Sequence, residues 1–346
     1  MLPKGQTDTD TVAVIAARLS GAPVSAVTQV LGGGNNRIFR IDGAAGATFA
    51  LKIYYAEDGG GGKRLAAEFN GLEFLWRNGI RQIPQPIAQD THNDCALYSW
   101  INGVAIGEAG QADVDAALRF MAVLKQAMLD PAAPKLEPAR EACLSAGELV
   151  GQIRQRREQL DRPAQNQPGL SKFLFTEFDE ALVVLVEAAR RSYASRGSDI
   201  SSELPRLSQT LSPSDFGFHN ALRQEDGTVV FLDFEYFGWD DPVKLTSDFI
   251  LHPGMHLTDE LLDRFSRGAD RLFGGDPGFT QRLDALFPLY GLRWATITLN
   301  EFISENWARR SFARGEADRE RVLSKQLAKA RMLVGRSLKG QVGNAA

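Results

Sequence analysis

The sequence predicts a segregated α+β fold, with a strand-rich first part and a helix-rich second part. Three observations lead to this prediction. Runs of strand formers alternate with Gly-containing turns over residues 26–101, apolar residues recur at three- and four-residue steps after residue 113, and no internal repeat is present. With 346 residues, 44% of them hydrophobic, the chain is long enough for two cores. We therefore expect two domains, residues 1–101 and residues 102–346.

The first domain should begin with a short helix capped by Thr9 or Asp10. Its strands are predicted near residues 26–31, 37–42, 48–54, 83–90 and 95–101, with a helix over residues 62–78 after the third strand. The second domain is predicted to be helical over residues 113–129, 145–160, 171–194, 241–251, 258–273, 279–308 and 315–338. Two short strands, at residues 221–222 and 229–232, interrupt these helices.

Composition and charge exclude several classes of function. A net charge of −4 argues against general nucleic-acid binding, because nucleic acid attracts a basic face. Cys95 and Cys143 are the only cysteines, so neither a disulfide framework nor a zinc site is indicated. The polar N-terminal stretch does not resemble a signal peptide, and no apolar run reaches the length of a membrane span. We expect a cytoplasmic protein without nucleic-acid or membrane partners.

The polar residues with the most chemical meaning surround the two short strands. Asp215 precedes Asn220 by five residues, and Asp233 follows Asn220 by thirteen. Transfer of a phosphoryl group to a hydroxyl needs a base for the hydroxyl proton and oxygen ligands for Mg²⁺. We therefore predict that Asp215 is the catalytic base and that Asn220 and Asp233 bind the metal ions at the phosphates of ATP.

A cation for the phosphates is supplied by Lys52, inside the strand-like segment FALKIYY. A lysine between Leu51 and Ile53 on a half-buried strand needs a charged partner. The next predicted helix offers Glu68, with Glu73 as the alternative. A strand lysine paired with a helix glutamate is how kinases hold a lysine against the α- and β-phosphates.

Further nucleotide contacts are expected from two other segments. The stretch LGGGNNRIFRI reads as a hairpin whose glycines let backbone N–H groups approach phosphates. The segment after the fifth strand is expected to run past the adenine and to offer backbone hydrogen bonds. Besides Lys52 and Glu68, the predicted nucleotide-binding residues are Gly33, Gly34, Asn35, Asn36, Trp100 and Asn102.

Other nucleotide-binding motifs fit poorly. Residues 59–64 resemble a Walker A loop, but Glu57 stands at the position of its first glycine and Arg64 at that of its Ser or Thr. The glycines at 32 and 34 lack the third glycine of a dinucleotide fingerprint and lead into a strand instead of a helix. A nicotinamide enzyme is therefore not expected.

From about Val27 to about Asp248, the chain resembles the aminoglycoside phosphotransferase and choline kinase superfamily of small-molecule kinases. The family's motif HGDxxxxN appears as PSDFGFHN, its I-D-F-E-Y element as LDFEY, and its G-D-P-x-x-D-L element is echoed by WDDPVKLTSDF. The resemblance implies a two-lobed, protein-kinase-like fold that uses ATP and Mg²⁺, with Asp248 bracing the catalytic loop. Pro213 replaces the family's usual His, so the contacts of that side chain must be supplied differently or lost.

The acceptor is expected to be a small molecule with a hydroxyl group. Carboxylates and aromatic rings attract ammonium groups, which favours an amino alcohol, an amino sugar or a sugar. The residues predicted to bind it are Glu235, Trp239, Asp241, Glu301 and Trp307. Arg293 leaves an anionic or sugar-phosphate acceptor open, and we interpret His219 as structural.

The sequence thus predicts an ATP- and Mg²⁺-dependent phosphotransferase acting on a small-molecule hydroxyl. An aminoglycoside-modifying kinase and a non-catalytic, nucleotide-binding pseudokinase scaffold remain alternatives. A protein kinase is disfavoured, because only twelve residues separate Asn220 from Asp233 and no A-P-E element is present.

Overall fold

The computed structural model describes residues 9–30, 36–44, 46–55, 61–307 and 318–340. The chain forms two compact units: the first comprises Met1–Glu141 and Leu211–Trp239, and the second Ala142–Thr210 and Asp240–Ala346. This division differs from the boundary predicted after Ile101, because the segment around Asp233 groups with the strand-rich part of the chain. The division into lobes at Ile101 stays a prediction.

An antiparallel sheet and two helices form the strand-rich part of the first unit. The helices are α1 (Thr9–Ser20) and α2 (Gly61–Arg77). The strands are β1 (Val24–Val30), β2 (Arg37–Gly43), β3 (Thr48–Ile53), β4 (Pro86–Asp90) and β5 (Cys95–Ser99), in the order β1-β2-β3-β5-β4. These elements lie close to the predicted positions.

The apolar core of this sheet lies against α1. It includes Val12 and Ile15 of the helix and Phe39 and Leu51 of the strands. Successive side chains of a strand point to opposite faces, so Leu51 on the α1 side directs the neighbouring Lys52 to the other face. The pairing of Lys52 with Glu68 places part of α2 on that second face.

The rest of the first unit carries the segments around Asp215 and Asp233. Its elements are β6 (Val104–Ala105), α3 (Gln111–Ala127), β7 (Thr210–Ser212), β8 (Ala221–Arg223), β9 (Val229–Phe231) and β10 (Gly238–Asp240). One small sheet has the order β6-β8-β9, and β7 pairs with β10. The ring of Phe120 on α3 lies 5.8 Å from that of Phe216 and 6.2 Å from that of Phe234, so apolar packing supports both polar segments.

The second unit is helical in its described residues. Its helices are α4 (Ala146–Gln159), α5 (Asp161–Ala164), α6 (Pro168–Phe173), α7 (Asp179–Ala194), α8 (Pro242–Leu251), α9 (Asp259–Phe273), α10 (Phe279–Thr298) and α11 (Arg319–Leu338). Helix α10 is buried over most of its length, including the full side chain of Tyr290. No helix in the described part of the chain has both the length and the apolar character needed to cross a membrane.

Two helix predictions need correction, and a third is only partly covered by the described residues. The helix predicted over residues 171–194 is interrupted by a π-helical turn, Leu174–Phe178, which buries both of its end residues. The helix predicted over residues 279–308 ends at Thr298, where the chain turns into the 3₁₀ helix Leu299–Phe302. The last described helix begins at Arg319, where the Asp318 carboxylate caps it by accepting the Arg321 N–H. Residues 315–317 lie outside the described part of the chain.

Candidate active site

Lys52 is the centre of a buried charge cluster in the first unit. Its Nζ donates to Oε2 of Glu68 and to Oδ1 of Asp233, each at 2.6 Å, and its side chain is 8% exposed. Burial by itself lowers the pKa of Lys52, but the two carboxylates outweigh that effect and leave the pKa above its usual value. The lysine is therefore held in its charged form.

Glu68 joins Lys52 to the segment that follows β9. Its Oε2 also accepts the Tyr54 hydroxyl at 2.7 Å, and its Oε1 accepts the Phe234 N–H at 3.3 Å. Burial raises the pKa of the Glu68 carboxyl, and Lys52 opposes that rise. The alternative partner, Glu73, is exposed, so the helix face that turns inward selects Glu68.

A glycine lets α2 approach the same segment. A Cβ atom on Gly71 would overlap the ring of Phe237. Because the two lie in such close contact, α2 and the segment after Asp233 are held together by packing as well as by the bond from Phe234 to Glu68. This position of α2 fixes Glu68 relative to Asp233.

Asp233 lies two residues beyond β9, in a left-handed backbone conformation with φ of 64°. Its side chain is 36% exposed, so the charge cluster around Lys52 is accessible to solvent at Asp233. The pairing of Ala221 with Phe231 in the β8–β9 hairpin continues through the bond from the Leu232 N–H to the Asn220 carbonyl at 2.8 Å. The hairpin therefore brings the chain at Asn220 and the chain at Asp233 to the same end.

Asp215 and Asn220 contact each other directly. The amide nitrogen of Asn220 donates to the backbone carbonyl of Asp215 at 3.0 Å and to Oδ2 of its carboxylate at 3.1 Å. With the nitrogen engaged in this way, the side-chain oxygen is the atom of Asn220 that remains for a metal ion. The Asp215 side chain is 41% exposed and so is accessible to a substrate.

His219 is a contact that the sequence interpretation missed. Its Nε2 lies 3.0 Å from Oδ1 of Asp215, the carboxylate oxygen that is not bonded to Asn220. The short 3₁₀ helix Phe218–Asn220 turns the chain back toward Asp215 and makes this contact possible. Asp215 and His219 are four residues apart, a spacing that allows a contact if the chain turns between them. The sequence alone did not predict that turn.

Two hydrogen bonds to the main chain of Arg140 connect the segments around Pro213 and Asp233. The Ser214 hydroxyl donates to the Arg140 carbonyl at 3.3 Å, and the Arg140 N–H donates to the Tyr236 carbonyl at 3.1 Å. The main chain of Arg140 thereby joins the residue before Asp215 to a residue after Asp233. Sequence analysis had no signal for this connection, because it uses main-chain atoms of a distant segment. Pro213 has no side-chain hydrogen-bond donor, so these bonds join the two segments without a contribution from the side chain of residue 213.

The predicted nucleotide-binding residues are only partly described. Gly33, Gly34 and Asn35 lie outside the described residues. The Trp100 N–H donates to the Thr48 carbonyl at 3.2 Å, and Asn102 is exposed. Their contact with a nucleotide stays a prediction.

The predicted acceptor residues of the first unit are both buried. Glu235 accepts the amide of Asn36 at 2.7 Å, and its side chain is 3% exposed. The indole of Trp239 donates to the Ala133 carbonyl at 3.0 Å. Both side chains thus have partners within the protein, and their contact with an acceptor stays a prediction.

The predicted acceptor residues of the second unit also contact other protein groups. Asp241 caps α8 and forms an ion pair with Arg282 at 3.3 Å. Glu301 is buried and accepts the Gln326 amide at 3.0 Å. The guanidinium of Arg319 lies 5.5 Å from the ring centre of Trp307. Acceptor roles for Asp241, Glu301 and Trp307 stay predictions as well.

Asp248 belongs to a buried ionic network of the second unit. It lies 3.2 Å from Lys244 and 3.5 Å from Arg293, and it accepts the Trp294 indole N–H at 2.8 Å. Burial favours the neutral form of Lys244, but Asp240 and Asp248 outweigh it and raise its pKa. The network explains how Asp248 is held at this buried position, while its bracing role stays a prediction.

The pairing of a strand lysine with a helix glutamate is the arrangement that kinases use to hold a phosphate-binding lysine. Residues 26–281 match the sequence model of the phosphotransferase enzyme family, APH, and the chain therefore belongs to that family. The predicted class, a small-molecule phosphotransferase, is thereby confirmed. No curated protein matches the chain.

Solved structures of small-molecule kinases share the fold over nearly the whole chain. Spectinomycin phosphotransferase APH(9)-Ia, in complex with ADP and spectinomycin, has a TM-score of 0.63 at 12% identity, covering 95% of this chain and 99% of its own. Choline kinase from Cryptosporidium parvum has a TM-score of 0.59 at 13% identity, with coverages of 97% and 100%. Choline kinase LicA from Streptococcus pneumoniae has a TM-score of 0.57 at 13% identity, with coverages of 94% and 99%. The predicted kinase-like α+β fold is confirmed.

Proposed function

We propose that this protein transfers the γ-phosphoryl group of ATP to a hydroxyl group of a small molecule, in a reaction that requires Mg²⁺. The observation that carries the proposal is the position of Lys52 between Glu68 and Asp233. One carboxylate orients the lysine, while the other is half-exposed beside it. Membership of the phosphotransferase family supports the same reaction.

The donor atoms near Asp233 suit Mg²⁺. Magnesium prefers oxygen ligands and usually takes only one or two carboxylates from a protein. Asp233 offers a carboxylate, and Asn220 offers its side-chain oxygen because its nitrogen is bonded to Asp215. When bound, the metal neutralises charge that develops on the phosphates during transfer.

Lys52 and Glu68 have complementary roles in this proposal. Lys52 contacts the phosphates of the nucleotide and releases Asp233 to serve as a metal ligand. Glu68 keeps its bond to Lys52 and thereby holds the ammonium group in place. Removal of a pre-oriented cation from the phosphates weakens both binding and transfer.

Asp215 accepts the proton of the attacking hydroxyl. His219 and Asn220 each hold one of its carboxylate oxygens, which limits rotation of the side chain. An ionised carboxylate has further lone pairs on both oxygens, so these bonds leave room for the incoming proton. The exposure of Asp215 gives a hydroxyl access to it.

The acceptors that we favour are amino alcohols, amino sugars and sugars. The similar folds of choline kinases and of spectinomycin phosphotransferase support this range. An aminoglycoside is the second candidate, because the spectinomycin enzyme has the highest TM-score of the similar structures described above.

A coupled assay of ADP release tests the proposal. The purified protein with MgATP is screened against amino alcohols, amino sugars, aminoglycosides and neutral sugars, with and without EDTA. We expect release that depends on one acceptor class and on Mg²⁺. Asp215→Asn should lower turnover roughly 10²–10⁴-fold, because general-base catalysis contributes about that much. The control is Asp263→Asn, an aspartate on α9 whose side chain is 46% exposed.

Two outcomes would contradict the proposal. Nucleotide binding without acceptor-dependent ADP release across the whole panel would support a non-catalytic scaffold. Phosphate incorporation into a protein or peptide, with none into small molecules, would support a protein kinase.

A further inference from the structure

Four residues of the first unit form a closed ring of polar contacts. The Asn36 amide donates to Oε2 of Glu235 at 2.7 Å, and the Tyr55 N–H donates to Oδ1 of Asn36 at 3.3 Å. Arg64 closes the ring, because one of its nitrogens donates to the Tyr55 carbonyl and another lies 3.9 Å from Oε1 of Glu235. These contacts join β2, the end of β3, α2 and the segment after Asp233.

The acidic member of the ring is almost entirely shielded from water. The side chains of Glu235 and Arg64 are 3% and 11% exposed. A buried carboxylate is tolerated only with charged or hydrogen-bonding partners, and Asn36 and Arg64 supply them at its two oxygens. An acceptor would have to displace one of these partners to reach Glu235.

The positions of the ring members along the chain indicate which segments the ring holds together. Asn36 follows the Gly-rich stretch at residues 32–34 with only Asn35 between, and Glu235 follows Asp233 with only Phe234 between. The bond between Asn36 and Glu235 therefore joins a predicted nucleotide-binding residue to the predicted metal-binding segment. The bond restrains Asn36 at little further entropic cost, because the next residue, Arg37, already begins β2.

We propose that Glu235 is a positioning residue for the nucleotide, acting through Asn36, and not a contact for the acceptor. This inference rests on the proposed function and deepens it. The Glu235 carboxylate holds Asn36, a predicted nucleotide-binding residue, relative to Asp233, and the guanidinium of Arg64 lies 3.9 Å from the other carboxylate oxygen. Glu235→Ala therefore acts on nucleotide affinity and leaves recognition of the acceptor unchanged.

A double-mutant cycle tests the inference. The affinity for ADP with Mg²⁺ is measured by calorimetry for wild type, Asn36→Ala, Glu235→Ala and the double variant, and the KM of the acceptor is measured separately. We expect each single variant to bind ADP about tenfold more weakly and the double variant no more weakly than Glu235→Ala, because both remove one interaction. Glu235→Gln, which retains an oxygen for Asn36, should restore most of the affinity. The matched control is Glu73→Ala, an exposed glutamate of α2.

Two results would overturn the inference in this assay. One is an unchanged ADP affinity with a raised acceptor KM in Glu235→Ala, which would make Glu235 an acceptor contact. The other is additive losses in the cycle, which would make Asn36 and Glu235 independent.

Hydrogen exchange of the nucleotide-free protein is a second test of the inference, and its result does not depend on the proposed function. Amides of peptides spanning residues 36–43 should exchange faster in Asn36→Ala and Glu235→Ala than in wild type and Glu73→Ala. Unchanged exchange in both variants would overturn the inference. If wild type binds no nucleotide, the proposed function fails, while the exchange rates still decide whether Glu235 holds Asn36.

Discussion

His219 Nε2 lies 3.0 Å from Oδ1 of Asp215, and the amide of the next residue, Asn220, lies 3.1 Å from Oδ2 of the same carboxylate. One short turn thus holds both oxygens of the proposed base. A carboxylate restrained at both oxygens keeps a fixed orientation toward a bound hydroxyl, and orientation of this kind lowers the barrier of the chemical step.

Loss of the imidazole should slow the chemical step. We expect His219→Ala to lower kcat about tenfold or more with little change in the KM of either substrate, since the base is present but less well oriented. His219→Gln retains an N–H donor and should recover part of the loss. The measurement is steady-state kinetics beside His92→Ala, an exposed histidine outside the site. Equal effects in His219→Ala and His219→Gln would argue against orientation by a hydrogen bond.

Replacement of Lys52 should affect both stability and nucleotide binding. Lys52→Met leaves Glu68 buried without its cation, and the loss of one partner from a buried ion pair costs about 3–5 kcal/mol. The double variant Lys52→Met/Glu68→Gln should recover much of that stability but should not recover nucleotide binding. Urea unfolding and calorimetry separate the two effects. If the double variant regained ADP affinity, Lys52 would not be a contact of the nucleotide.

The close approach of α2 to Phe237 gives a prediction about a glycine. Gly71→Ala should destabilise the protein by about 1–3 kcal/mol, because the added methyl group overlaps a buried ring. Gly151→Ala on α4 is the control, since a Cβ there meets no atom within 4 Å. That substitution should stabilise the helix by about 0.5–1 kcal/mol. Equal free energies of unfolding for the two variants would contradict the packing at Gly71.

The two buried thiols predict how stability changes at alkaline pH. Burial raises the pKa of Cys95 and that of Cys143 from 9.0 to about 12. In both cases the folded state holds its proton at a pH where the unfolded chain releases it, so stability falls as the pH rises from about 9 to about 12. Urea unfolding between pH 8 and pH 10.5 should show a smaller decline for Cys143→Ala than for wild type. A parallel decline in both proteins would show that the Cys143 thiol makes no contribution.

The parts of the fold that follow local patterns were predictable. A strand over residues 48–54 and a charged partner for Lys52 were predicted, and in the structure β3 spans Thr48–Ile53 and Lys52 donates to Glu68. The hairpin around Gly227 could be predicted because a turn glycine separates two apolar runs, and Gly227 has a positive φ of 84°. These features depend on residues close together in the sequence.

Features that depend on distant segments could not be predicted. The burial of Trp239 and Glu301 could not be read from the sequence, because residue type alone does not give the direction of a side chain. The 3₁₀ turn that brings His219 to Asp215 has no strong sequence pattern. The π-helical turn at Leu174–Phe178 has both of its end residues buried, and tertiary packing of this kind commonly overrides the helix propensity that a sequence shows.

The connection through Arg140 has a consequence for how this enzyme tolerates mutation. Because the N–H and the carbonyl of residue 140 make the bonds to Tyr236 and Ser214, almost any amino acid at that position can preserve them. Proline alone lacks the N–H and would sever the bond to Tyr236. An imidazole in this role, by contrast, is lost with any single change of the residue that bears it. The bond between the main chains of residues 140 and 236 therefore survives most substitutions, whereas the bond that depends on the Ser214 hydroxyl is lost when that serine is replaced by alanine.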